Sequence, residues 1–192
     1  MLQINNKILE THTAELVAQI PDPYWVDTYS PDDSKEIVWM LNILCQSKTT
    51  DNAATLSHDN IRIKSKSWKR LKGTIIAWKE QIDEFGETPA SLMLDDEEID
   101  LHTGQIIIGG RKKNIYSVEW TSKQKPRFQL TTQVEFKGVT VRASELESKN
   151  DVEKRILQFL SLDEFVCGRL TKLPQKYQSG IKMSQMFLTP SV

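Results

Sequence analysis

Apolar and polar residues alternate one for one along two stretches of this chain, and that period of two constrains the fold more than any other feature. From Asn60 to Ser65, Ile61 and Ile63 fall on one side, with Arg62, Lys64 and then Lys66 on the other. From Asn114 to Trp120, the series Tyr116, Val118, Trp120 alternates with Ile115, Ser117, Glu119. Successive side chains of a strand point to opposite faces, so both stretches read as half-buried strands of a sheet with one wet face, which is an antiparallel habit.

Other elements are read around these two. The run EIVWMLNILC, Glu36 to Cys45, is apolar almost throughout and predicts a central strand buried on both faces. Short strands are expected at 92–94, 98–101 and 105–108, with Gly109-Gly110 as a turn, and a hairpin joins Phe128–Phe136 to Val139–Ala143 through Lys137-Gly138. Helices are expected at four places. Asn6 to Ile20 spaces Ile8, Leu9, Leu16, Val17 and Ile20 for one buried side, and Pro21 closes it. After Ser67 as a cap, Trp68, Leu71, Ile75, Trp78 and Ile82 recur at intervals of 3 and 4, ending at Gly86. Asp151 to Leu160 turns Val152, Ile156, Phe159 and Leu160 inward, and the capping-box spacing of Ser161 and Glu164 starts a further short helix through Leu170.

This element order predicts an α+β fold, a mainly antiparallel sheet of about five to seven strands with helices packed on one face. All 192 residues are expected in a single domain, comprising the N-terminal helix 6–20, a loop 21–35, the body 36–173 and a polar tail 174–192.

The charges are sorted into blocks. From Ile61 to Lys79 the chain carries seven cations and no acid, and from Glu80 to Leu101 nine acids and no Lys or Arg, beneath a net charge of only −1. Blocks of this kind create local fields that steer and select partners without specifying chemistry.

Chemical signatures are few. Cys45 and Cys167 lie too far apart for a zinc pair and are flanked by apolar residues, so both read as small buried hydrophobes in a reducing compartment. The only histidines are His12, His58 and His102, so a multi-histidine metal centre is not expected. Glu98, Asp100 and His102 share one face if extended, but neighbouring ligands on one strand point in parallel rather than converging on an ion. Neither a nucleophile elbow nor a phosphate-binding glycine motif is present. No catalytic residue, metal site or cofactor is therefore expected. The N-terminus lacks the form of a signal peptide and no run is long enough to span a membrane, so a cytoplasmic setting is expected.

Two functional readings follow. The leading one is a non-enzymatic binder of another protein through the acidic residues Asp95, Asp96, Glu97, Glu98 and Asp100, in the manner of an inhibitor or immunity protein that blocks a basic toxin or nuclease. The alternative is a nucleic-acid-binding protein that uses Arg62, Lys64, Lys66, Lys69 and Arg70, extended to a metal-dependent nuclease through Glu119, Glu135 and Lys137.

Overall fold

The computed structural model describes residues 1–5, 7–20, 37–79, 88–176 and 182–192. Of these, 63% lie in strands and 11% in helices, so the fold is mostly antiparallel β and the α+β expectation is corrected. Strands β1 to β13 are Leu2–Ile4, Lys7–Ile20, Val38–Gln46, Ala53–Arg62, Ile75–Lys79, Ala90–Leu94, Glu97–Asp100, Thr103–Lys112, Ile115–Ser122, Phe128–Ser144, Phe165–Cys167, Thr171–Lys176 and Lys182–Pro190, and one α-helix, α1, covers Lys149–Phe159. The chain divides into two compact units. One takes residues 1–16, 40–61 and 71–136, the other 17–39, 62–70 and 137–192.

A ten-strand path runs in the order β5-β8-β9-β10-β1-β2-β3-β4-β6-β7, well beyond the five to seven strands expected, and β1 and β5 to β9 lie wholly in the first unit. Its core is built from the period-two faces. Ile106, Trp120 and Leu130 are successive cross-strand partners on β8, β9 and β10, and all three are fully buried. Such rows of aromatic and branched side chains are the unit of sheet stabilisation. Leu41, Ile43 and Cys45 of β3, Leu56 of β4 and Leu92 of β6 supply further buried positions. On β3 the alternate residues Met40 and Leu44 are only half-buried and Asn42 is exposed, so this strand has one buried face rather than two.

Two expected helices are strands or turns here. Lys7–Ile20 is β2, whose register with β1 pairs Leu2 with Leu9 and Ile4 with Lys7. Its apolar residues are too few to distinguish the two periods: Leu16, Ala18 and Ile20 are buried at intervals of two, while Ile8, needed for a helical face, is 62% exposed. The stretch from Trp68 forms one 3-10 turn, Trp68–Arg70, and then β5. There the backbone pairs with β8 instead of with itself, since Gly73 N–H donates to the Ile108 carbonyl and Ile108 N–H to the Thr74 carbonyl, at 2.7 and 2.9 Å. Trp68, Leu71 and Trp78 are buried as the stripe required, but Ile75 is exposed. The remainder of that predicted helix, 80–86, and the loop at 21–35 fall outside the described residues.

The expected hairpin at Lys137-Gly138 is a single strand of 17 residues, β10. Phe128–Glu135 pairs with β9, and Val139–Ser144 pairs with β13. The change of partner falls at Gly138, where φ is +139° and a Cβ would collide with the Leu188 carbonyl of β13. Glycine is required there by both conformation and close approach, not by a reversal of the chain.

In the second unit β13 pairs with β10, β11 and β12, so the predicted polar tail contains a strand. Helix α1 is set by Ser148, whose hydroxyl accepts from Asp151 N–H while the Asp151 carboxylate accepts from Ser148 N–H, a reciprocal capping box. Val152 and Ile156 are buried as expected. Ser161 makes no side-chain cap, and the chain beyond it forms a 3-10 turn, Leu162–Glu164, followed by β11 in place of the helix through Leu170. The physical reason is pairing again, because Phe165 to Cys167 lie in register against Pro190 to Leu188.

Candidate functional site

The acidic residues are brought together on one hairpin, β6–β7. Leu94 pairs with Glu97, which leaves Asp95 and Asp96 as a two-residue connection, and both have positive φ, 51° and 68°. That pair of left-handed residues matches the right-handed twist of flanking strands, and Asp tolerates it because its short carboxylate bonds locally. Asp95, Asp96, Glu97, Glu98 and Asp100 are all exposed. β7 is the last strand of the ten-strand path. Asp95 forms an ion pair with Lys7 of β2 at 2.8 Å, and the Asp100 carboxylate accepts from the Thr88 hydroxyl at 3.1 Å. The hairpin therefore offers a run of carboxylates held at its turn by one ion pair. Acids on a terminal strand also discourage edge-to-edge aggregation.

The cations of the alternative reading are distributed differently. Arg62 ends β4 and is half-buried, while Lys64, Lys66, Lys69 and Arg70 are exposed on the irregular segment and 3-10 turn that follow. They do not share one strand face. Lys69 Nζ lies 5.6 Å from the ring centre of Trp68, but that indole is fully buried and its Nε1 donates to the Glu164 carbonyl at 3.1 Å, so it is core and not a stacking platform for bases.

The nuclease constellation is not assembled. Glu119 is opposite Thr131 in the β9–β10 register and Glu135 is opposite Ile115. Both carboxylates occupy the same face, but four residues of strand separate them, about 13 Å at 3.3 Å per residue, too far to share an ion. Glu135 also accepts from Asn114 Nδ2 at 3.2 Å. Lys137 is half-buried on β10 beside Gly138. Among the described residues no group of three His, Cys, Asp or Glu side chains is placed to hold a metal.

The cysteines part company. Cys45 is buried, and burial pushes its thiol up from the usual range, whereas Cys167 at the end of β11 is exposed, against expectation. Val166 beside it is 62% exposed, so the apolar neighbour that suggested burial is itself on the surface.

Three features escaped the sequence reading. His58 is 2% exposed, with Trp78 edge-on at 4.7 Å and Trp120 at 6.3 Å, and burial holds its pKa down to about 4. Its Nδ1 accepts from Asn60 N–H at 3.4 Å. Arg155 of α1 is buried against Glu147 through a double contact, Nε to Oε1 at 2.9 Å and Nη2 to Oε2 at 3.0 Å, and Nη2 also donates to the Arg142 carbonyl at 2.6 Å. The third is the turn between β8 and β9, where Arg111, Lys112 and Lys113 edge a concavity of about 530 Å³. Only this last feature had a visible signal, three consecutive cations after two glycines.

Comparison with protein-family models, with curated proteins and with solved structures finds no match for the chain. Among the described residues no helix is long and apolar enough to cross a membrane.

Proposed function

We propose that the chain is a non-enzymatic cytoplasmic protein-binding module whose partner carries a basic surface, and that the β6–β7 hairpin is the contact. The observation that carries this reading is the gathering of Asp95, Asp96, Glu97, Glu98 and Asp100, all exposed, on one hairpin with a left-handed turn. Such a strip raises the rate and selectivity of encounter with a cationic patch more than it raises raw affinity. An inhibitor or immunity protein is the form of that role the charge suits best, since a row of carboxylates occupies a site built for nucleic-acid phosphates.

The test is kinetic. A partner captured from host extract is titrated against the native chain and against the variant Glu97→Lys, Glu98→Lys, Asp100→Lys at two salt concentrations. The association rate of the variant is expected to fall about tenfold or more, with a flatter salt dependence. Failure to capture any partner, or a rate and salt slope left unchanged, overturns the reading and leaves the acids as protection of a terminal strand.

A further inference from the structure

We infer that the concavity beside the β8–β9 turn is a binding site for the phosphate groups of a small ligand. The site is independent of the role proposed for the acidic hairpin, and it grows from a defect in strand pairing. Between Ile108, paired with Val118, and Arg111, paired with Tyr116, β8 advances three residues while β9 advances two. The extra residue is a bulge at Gly109-Gly110, and bulges re-aim the side chains that follow them. A Cβ at Gly109 would meet the Ser117 hydroxyl, which would have to rotate away to make room for it. The Ser117 hydroxyl in turn donates to the Gly110 carbonyl at 3.4 Å.

Beyond the bulge the turn is fastened on two sides. Asn114 Nδ2 donates to Glu135 Oε1 and to the Phe136 carbonyl, at 3.2 and 3.3 Å, and Phe136 N–H donates to the Asn114 carbonyl at 2.7 Å. Arg111 Nη1 donates to the carbonyl of Lys113, which has φ of +57°. The cations therefore project from a pre-set loop and not from a free one, which lowers the ordering cost of gripping a ligand. Arg111, Lys112, Lys113, Ser117 and Gln133 surround the concavity, with Ile115, 38% exposed, as its apolar patch.

That composition selects the ligand class. Three cations with the Gln133 amide supply donors for several anionic oxygens, and a guanidinium matches phosphate geometry in a way an ammonium does not. The volume falls within the range of small-molecule sites, roughly 300–1,000 Å³. Two acids share this face, Glu135 across Ile115 in the register and Glu119 two residues along β9 from Ser117; neither lines the concavity, and one Glu135 oxygen is taken by Asn114.

Isothermal titration at low ionic strength with sodium tripolyphosphate and, separately, with ATP tests the site, alongside amide chemical-shift mapping. Both probes are expected to bind, with the largest shifts at residues 109–117. The variant Arg111→Gln, Lys112→Gln, Lys113→Gln should weaken both by about tenfold or more, whereas Lys64→Gln, Lys66→Gln, Lys69→Gln should leave them unchanged. ATP binding tighter than tripolyphosphate, with the difference lost in Ile115→Ser, supports the site and makes an organic phosphate its ligand; equal affinities support it and make the ligand an inorganic polyphosphate. No binding of either probe, binding indifferent to the turn variant, or shifts centred elsewhere overturns the proposal. So do shifts at 109–117 that appear on raising protein concentration together with shifts at Asp95 to Glu98, because a second copy's acidic turn is then the occupant.

Discussion

Each compact unit buries a titratable side chain, and the two do so by opposite means. In the first, His58 sits against the indoles of Trp78 and Trp120 with no acid paired with it among the described residues, and the imidazole remains neutral because its pKa is held at about 4. In the second, Arg155 is kept charged and answered by the Glu147 carboxylate and the Arg142 carbonyl. Burial penalises any uncompensated charge, so a group that can shed its proton does so and one that cannot must be paired. Arginine belongs to the second class at every accessible pH. The lesson is that the titration chemistry of the side chain, and not the depth of the site, dictates which solution a core adopts.

The pairing half of this comparison is broken most directly by Glu147→Ala. The Glu147 and Arg155 side chains are only 7% and 10% exposed, so the substitution strands a guanidinium in the core and should cost about 3–5 kcal/mol in urea unfolding. The double variant Glu147→Leu, Arg155→Leu should recover most of that loss. A loss below about 1 kcal/mol for the single change would mean that the pair behaves as a surface one.

The neutral half is sharpened by acid. The unfolded chain takes up a proton at His58 near its ordinary pKa of 6.5, while the folded chain does so only near 4. The contribution of His58 is thus complete above pH about 6.5, declines as pH falls toward 4, and changes no further below that, a total on the order of 3 kcal/mol. Thermal unfolding between pH 7 and pH 4 of the native chain and of His58→Leu should diverge over that window. Parallel curves would show that His58 does not titrate differently on folding.

The smallest effect belongs to a charge pair at the surface. Lys7 and Asp95 have side chains 40% and 46% exposed, and water screens their attraction. Asp95→Asn keeps a residue that tolerates the left-handed turn and should alter stability by less than about 1 kcal/mol, with the difference vanishing in high salt. A larger, salt-insensitive loss would place this pair with Arg155 and Glu147.

Legibility in the sequence followed the periodicity of each segment. Tyr116–Trp120 alternates over its whole length and lies in a strand with Tyr116, Val118 and Trp120 inside. The acidic hairpin was legible too, as short strands at 92–94 and 98–101, although its turn at Asp95-Asp96 was not identified. Helix α1 was legible from Val152 and Ile156, but its N-terminus was set by Ser148 and Asp151, upstream of the predicted start. The partner of Arg155, Glu147, lies two residues before α1 begins, so no periodicity of that helix includes it.

Local pattern alone thus determined that this chain makes antiparallel strands, that its acids gather on exposed backbone and that Val152 and Ile156 share a helix face. Tertiary structure decided the segments whose apolar residues satisfy two periods at once. Lys7–Ile20 and Ile75–Lys79 became strands because hydrogen-bonding partners from distant parts of the chain, Leu2–Ile4 and Thr103–Lys112, were there to receive them. Phe128–Ser144 stayed unbroken because β13 met it at a glycine. A backbone amide must be bonded once it is buried, and where the nearest partner is far along the chain no window of sequence contains the answer.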